Sequence, residues 1–176
     1  MPEILLHFAI PFSLAKTKFS LKQTLLVASL ALVPDMDVLL RIHRSMTHSL
    51  VVATLVSIPV LTGVYIKKRK YLALAAACYL AIVSHILLDV FQTYTPILYP
   101  VLGESIRVKA EGSVVISSTI TPRVTASVQT KPTDFTVFQT LDAPLYTSEG
   151  LVSSAMLITV PILLSMRLRR FRENAG

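Results

Sequence analysis

The chain has 176 residues, of which 53% are hydrophobic and only 15% charged, with a formal net charge of +7. An ordinary soluble domain carries about 25% charged residues, so this balance argues against one and points to an integral membrane protein, one domain or one domain with an insertion. The single cysteine, Cys78, excludes an internal disulfide and any multi-cysteine zinc site.

Five apolar segments follow in order: Ile4–Ala15, Leu21–Val33, Ser49–Ile66, Tyr71–Val90 and Leu151–Met166. A full membrane span needs about 20 residues. The third and fourth segments meet that length, the fifth nearly does, and the first two suit a helical hairpin that enters only part of the bilayer. The first segment superficially resembles a signal peptide. It has no basic start, carries Glu3 and places His7 inside the apolar run, so a retained helix is expected. Pro11, Pro59 and Pro161 interrupt three segments, which membrane helices tolerate when neighbours satisfy the freed carbonyls.

Between the fourth and fifth segments the composition changes. Ile106–Lys109, Ser113–Ile120, Arg123–Gln129 and Asp134–Gln139 are rich in Val, Ile, Thr and Phe, partly alternating with polar residues. That pattern predicts about four half-buried strands, with Gly112, Pro122 and Pro132 as turns. The expected organisation is an all-α membrane bundle of about five helices with a small β-rich insertion. Residues 1–102 form the helical core, 103–150 the insert, and 151–176 the last helix with a basic tail.

Three basic clusters punctuate the helices. Lys16, Lys18 and Lys22 separate the first two, Lys67 to Lys70 separate the third and fourth, and Arg167, Arg169, Arg170 and Arg172 follow the fifth. Strict alternation puts all three on one membrane side, which the positive-inside rule makes cytoplasmic. The same rule accounts for the positive charge without a nucleic-acid partner. It also brings His7, Asp35, Asp37, His43, His48, His85 and Asp89 to the opposite, extracytoplasmic face.

His85 and Asp89 stand four residues apart in the longest apolar segment. Ionisable groups inside a spanning helix are costly unless they pair, bind an ion or line a cavity. Spacing i, i+4 places both on one helix face, where a single cation takes an imidazole nitrogen and a carboxylate oxygen. Pro34-Asp35-Met36-Asp37 ends the second segment. One of its carboxylates suits a metal, for which Asp37 is preferred, and the other can orient a histidine. Asp35, or the second oxygen of Asp37, is then the proton acceptor. A carboxylate at a helix C-terminus is electrostatically unfavourable, a penalty that a nearby cation removes. His43-Arg44-Ser45-Met46-Thr47-His48-Ser49 opens the third segment. Thr47 is expected to cap that helix. Arg44 either holds a phosphate oxygen or pairs with Asp35 or Asp37, and His43 either binds metal or orients a ligand. A site of imidazoles and carboxylates suits zinc, with manganese or iron also possible.

In order and spacing these motifs resemble the YdjM-like family of predicted membrane-bound metal-dependent hydrolases. The likeness rests on His7, Leu32-Val33-Pro34-Asp35-Met36-Asp37, the His43–Ser49 run, Ser84-His85-Ile86-Leu87-Leu88-Asp89 and Thr95-Pro96 with Tyr99-Pro100. That family is in turn similar to the zinc-dependent phospholipase C and P1 nuclease superfamily. The resemblance implies metal ligation by His7, Asp37, His48, His85 and Asp89, with one or two zinc ions. Together with the shared depth of the cluster it leads to the expectation of phosphoester cleavage in a lipid or lipid-linked substrate by metal-activated water, with Asp35, His43 and Arg44, on the reading of the residues themselves, assisting. Two other functions suit the same residues: a structural metal that ties helices together, and a proton or metal transporter with His85 and Asp89 as a relay.

Overall fold

A computed structural model of the protein describes residues 4–42, 44–116, 120–140 and 146–174. Within them lie helices α1 (Ile4–Lys16), α2 (Leu21–Leu30), α3 (Leu50–Lys67), α4 (Leu72–Gln92) and α5 (Ser148–Asn174). Strands β1 (Glu104–Ile116) and β2 (Ile120–Pro132) form one antiparallel two-stranded sheet between α4 and α5 in the chain.

Local chemistry sets the helix ends. Ser20 caps α2 through a capping box: its hydroxyl accepts from the Gln23 amide, and the Gln23 side chain accepts from the Ser20 amide at 3.1 Å. After α2 the chain turns at Pro34 into a short 3-10 helix, Pro34–Leu40, bent by 53° from α2. Proline lacks the amide that a continuing helix would need, but it suits the first position of a new one. Asp35 and Asp37 therefore sit in the first turn of that helix, at its positive end, rather than at the unfavourable C-terminus expected from the sequence. Ser49, not Thr47, caps α3: its hydroxyl accepts from the Val52 amide at 3.3 Å. It also donates to the Tyr99 carbonyl, and the Leu50 amide donates to the Ile97 carbonyl at 2.9 Å. The loop after α4 is thereby laced to the start of α3.

The helices meet through small residues. Ala15, Val27, Ala31 and Ala81 are buried together, with Phe19, Leu74, Ala77 and Cys78 packed against them. Small side chains let helix backbones approach closely, which is how spans associate where lipid removes the hydrophobic drive. No residue of α3 is buried, although its sequence is almost wholly apolar. Among the described residues three helical stretches are long and apolar enough to cross a membrane: Leu50–Lys67, Arg69–Gln92 and Ser148–Arg167. The last of these exceeds the span expected from composition, because the helix begins three residues before Leu151. The bent pair of α2 and the 3-10 helix makes a fourth candidate span, and α1 is a shorter apolar helix.

The insert differs from its expected form. Among the described residues it holds two strands of 13 residues each, not four short ones. Gly112 and Pro122 lie inside strands, opposite Val124 and Val114, rather than in turns. In a two-stranded sheet each strand has an open edge, so a proline is tolerated, and nothing crowds Gly112. From Lys109 onward the strands are exposed, not half-buried. Asp134–Gln139 forms no strand. The Asp134 carboxylate instead accepts from the Thr136 amide at 2.9 Å and hydroxyl at 3.2 Å, a local turn that competes with strand pairing.

Candidate metal centre

Four elements deliver the polar side chains. α1 supplies His7, and the 3-10 helix after α2 supplies Asp35 and Asp37. The segment before α3 supplies Arg44 and His48, and α4 supplies His85 and Asp89. His7, Asp37, His48, His85 and Asp89 are all buried. Of the histidines expected at the site, His43 lies outside the described residues.

One nitrogen each from His48 and His85, and one oxygen each from Asp35 and Asp89, lie within 4.8 Å of one another. His48 Nε2 is 3.4 Å from Asp35 Oδ1, 3.4 Å from Asp89 Oδ2 and 3.3 Å from His85 Nε2. His85 Nε2 is 3.5 Å from Asp35 Oδ1. A tetrahedron with bonds of about 2.0–2.1 Å has edges of about 3.3–3.4 Å, so these separations suit a small divalent cation. The chemistry of the donors agrees. Two imidazole nitrogens and two carboxylate oxygens converge, and a proton between two of them leaves the remaining lone pairs facing each other. A cation satisfies all four.

Asp37 stands behind this group. Its Oδ2 lies 3.3 Å from His48 Nδ1, and it accepts from the Ser45 amide at 2.7 Å and the Thr47 hydroxyl at 3.2 Å. With the proton held on Nδ1, His48 turns its Nε2 lone pair into the cluster. Of the two carboxylates of Pro34-Asp35-Met36-Asp37, of which the sequence favours Asp37 as the ligand, the structure brings Asp35 into the four-donor group and sets Asp37 against His48 Nδ1. Burial disfavours the charged form of His48, but Asp35, Asp37 and Asp89 around it push its pKa up to about 9. Without an ion His48 therefore holds a second proton at neutral pH, and an ion bound at Nε2 would displace it.

Asp89 lies between two partners. Its Oδ1 is 3.3 Å from His7 Nε2, and its Oδ2 accepts from Arg44 Nε at 3.2 Å. Arg44 pairs with Asp89 rather than with Asp35 or Asp37, and it reaches Asp89 from a left-handed backbone, φ 58°. Such a conformation is uncommon in a non-glycine residue and costs roughly 1–2 kcal/mol. The His7 ring lies on His85 with centroids 4.1 Å apart. His7 thus borders the four-donor group across Asp89 without belonging to it. Among the described residues, His7 Nδ1, His85 Nδ1 and Asp37 Oδ1 are buried without a hydrogen-bond partner.

A helical bundle with bilayer-length apolar helices and a buried imidazole–carboxylate cluster defines a membrane protein with a candidate metal centre. The family model described as YdjM inner membrane protein matches residues 4–169. The chain belongs to that family, as its motifs suggested. No curated protein matches the chain, and no solved structure does.

Proposed function

We propose that this protein is a membrane-bound metal-dependent hydrolase that cleaves a phosphoester in a lipid or lipid-linked substrate. The observation that carries this reading is the convergence of Asp35, His48, His85 and Asp89 on one point, with Arg44 beside it. These four residues would hold a divalent ion, zinc by the donor set, and His7 with Asp89 would begin a second site. When bound, such an ion polarises a phosphoryl oxygen and makes water a nucleophile near neutral pH.

The chain's own groups supply the rest. Arg44 uses Nε on Asp89, which leaves the other guanidinium donors for a phosphate oxygen. The second oxygen of Asp35, the least buried of the four donors, accepts the proton of the attacking water. Asp37 holds His48 in the required tautomer.

An apolar cavity supports the lipid substrate. A space of about 390 Å³ opens between α2, α3 and α4, bordered by Tyr71, which caps α4, and by Ala75, Cys78 and Ile82 on it. Steps of four, three and four residues keep these on one helix face, and the same stripe continues to His85 and Asp89. From Tyr71 to His85 the stripe rises about 21 Å. A hydrocarbon chain lying along it places its head group at the cluster. Lys16, Lys22 and Lys67 to Arg69 sit at the other ends of the helices that bring His7, Asp35, His48 and His85 together. The cluster is accordingly assigned to the extracytoplasmic side.

The test is metal analysis and phosphodiesterase assay of purified protein, wild type beside His48→Ala and His85→Ala. We expect stoichiometric zinc in the wild type, its loss in both variants, and zinc-dependent release of a phosphorylated head group from lipid vesicles. Chelation should abolish activity and leave helical content intact. Protein purified without any divalent metal overturns the reading. Unfolding on chelation assigns the metal a structural role instead, and ion flux into proteoliposomes assigns transport.

A further inference from the structure

The β1–β2 hairpin has two chemically distinct faces. Side chains alternate along a strand, and directly paired residues share a face. Every even-numbered position from Ile106 to Ile116 and from Ile120 to Val128 lacks a polar side chain. The odd-numbered positions from Ser105 to Ser113 and from Thr121 to Lys131 are all polar or charged. The polar face carries four basic residues, Arg107, Lys109, Arg123 and Lys131, against one acid, Glu111.

Beyond its base the apolar face is uncovered. Val114 is 58% exposed, Ile116 77%, Val124 80% and Val128 68%. Thirteen residues per strand make a ribbon about 43 Å long. A lone two-stranded hairpin is marginal in water, and a continuous apolar face of this length on a soluble surface marks an interaction site. Something must cover it.

The base of the hairpin shows where it starts. Thr95, just after α4, pairs with Ile106 through bonds of 2.9 and 2.8 Å. The Tyr94 hydroxyl donates to Gln129 at 3.2 Å, and Lys131 lies 4.9 Å above the Tyr94 ring. The polar face thus meets Tyr94. The hairpin leaves α4 at the end where that span reaches the membrane boundary. There the bilayer itself offers an apolar layer bordered by phosphate-bearing head groups, which suits an apolar face backed by long basic side chains.

We propose that the β1–β2 hairpin lies on the lipid surface beside the site end of α4, its apolar face in the boundary between head groups and acyl chains. Its basic residues reach the head groups with their long side chains. This placement holds whatever chemistry the metal centre performs.

The protein contains no tryptophan, so one introduced indole reports its own surroundings. The experiment compares Val124→Trp and Val128→Trp with Thr125→Trp. The full-length protein is reconstituted in vesicles of phosphatidylethanolamine and phosphatidylglycerol, with and without brominated acyl chains. We expect Val124→Trp and Val128→Trp to emit at shorter wavelength and to lose intensity in brominated lipid. Thr125→Trp, on the opposite face, should emit as in water and keep its intensity. Water-like, unquenched emission at both apolar-face positions overturns the proposal. Blue-shifted emission that brominated lipid does not quench also overturns it and assigns the face to a second copy of this chain.

Discussion

Asp37 offers no atom to the four-donor group, yet it is almost fully buried and accepts from Ser45, Thr47 and the His48 ring. Its effect on an ion would pass through the histidine. A carboxylate behind a ligating imidazole fixes its tautomer and raises its basicity, and its loss typically costs 10–100-fold in metal affinity. Asp37→Asn should therefore weaken zinc binding by about 10–100-fold while the protein stays folded, as read by competition with a chromogenic chelator. Asp35→Asn removes one of the four donors and should weaken binding more. Equal effects would mean that the two carboxylates are not divided as donor and orienter. Thr47 belongs to the same local unit: its hydroxyl lies 3.0 Å from the Pro34 carbonyl and ties the histidine segment to the turn that carries both acids.

The element that matters most to the centre is the start of α3. Ser49 caps the helix and holds the Tyr99 carbonyl, one residue from His48. Ser20 caps α2 through a similar hydroxyl, but at the end of that helix remote from the cluster. Removing an N-cap serine costs about 1 kcal/mol. Ser49→Ala and Ser20→Ala should each lower the thermal unfolding midpoint in detergent by a few degrees. Only Ser49→Ala should also weaken metal binding, because it frees the segment that aims His48. A matching loss of affinity in Ser20→Ala would show that the centre responds to general stability rather than to this cap.

At the scale of the whole molecule, the direction of each helix follows from its ends. α3 starts beside His48 and stops at Lys67, and α4 starts beyond Arg69 and returns to Asp89. The basic connection and the cluster therefore occupy opposite ends of this helix pair. The Phe138 amide donates to the Arg41 carbonyl at 2.9 Å, which keeps the segment after the hairpin at the cluster end. In a Cys78→Ala background, a membrane-impermeant maleimide applied to cells with permeable outer layers should label Thr136→Cys and spare Lys68→Cys. The reverse pattern would turn the protein over in the membrane and place the centre in the cytoplasm.

The amino-acid sequence alone determined the membrane class, the five apolar segments to within a few residues, and six of the acids and histidines that gather among the described residues: His7, Asp35, Asp37, His48, His85 and Asp89. Each of these is a local property: hydropathy over a window, an i, i+4 spacing, a proline after an apolar run. Three matters were left to tertiary structure. Asp35 rather than Asp37 faces the donors, because the chain restarts as a 3-10 helix at Pro34 and its rotation sets which carboxylate looks inward. Arg44 meets Asp89, 45 positions away, because a left-handed turn swings it toward α4. The described part of the insert pairs as one long hairpin, because alternation runs straight through Gly112 and Pro122 where neither strand has an outer neighbour. Contacts between residues distant in the chain decide all three, and no window along a single sequence contains them.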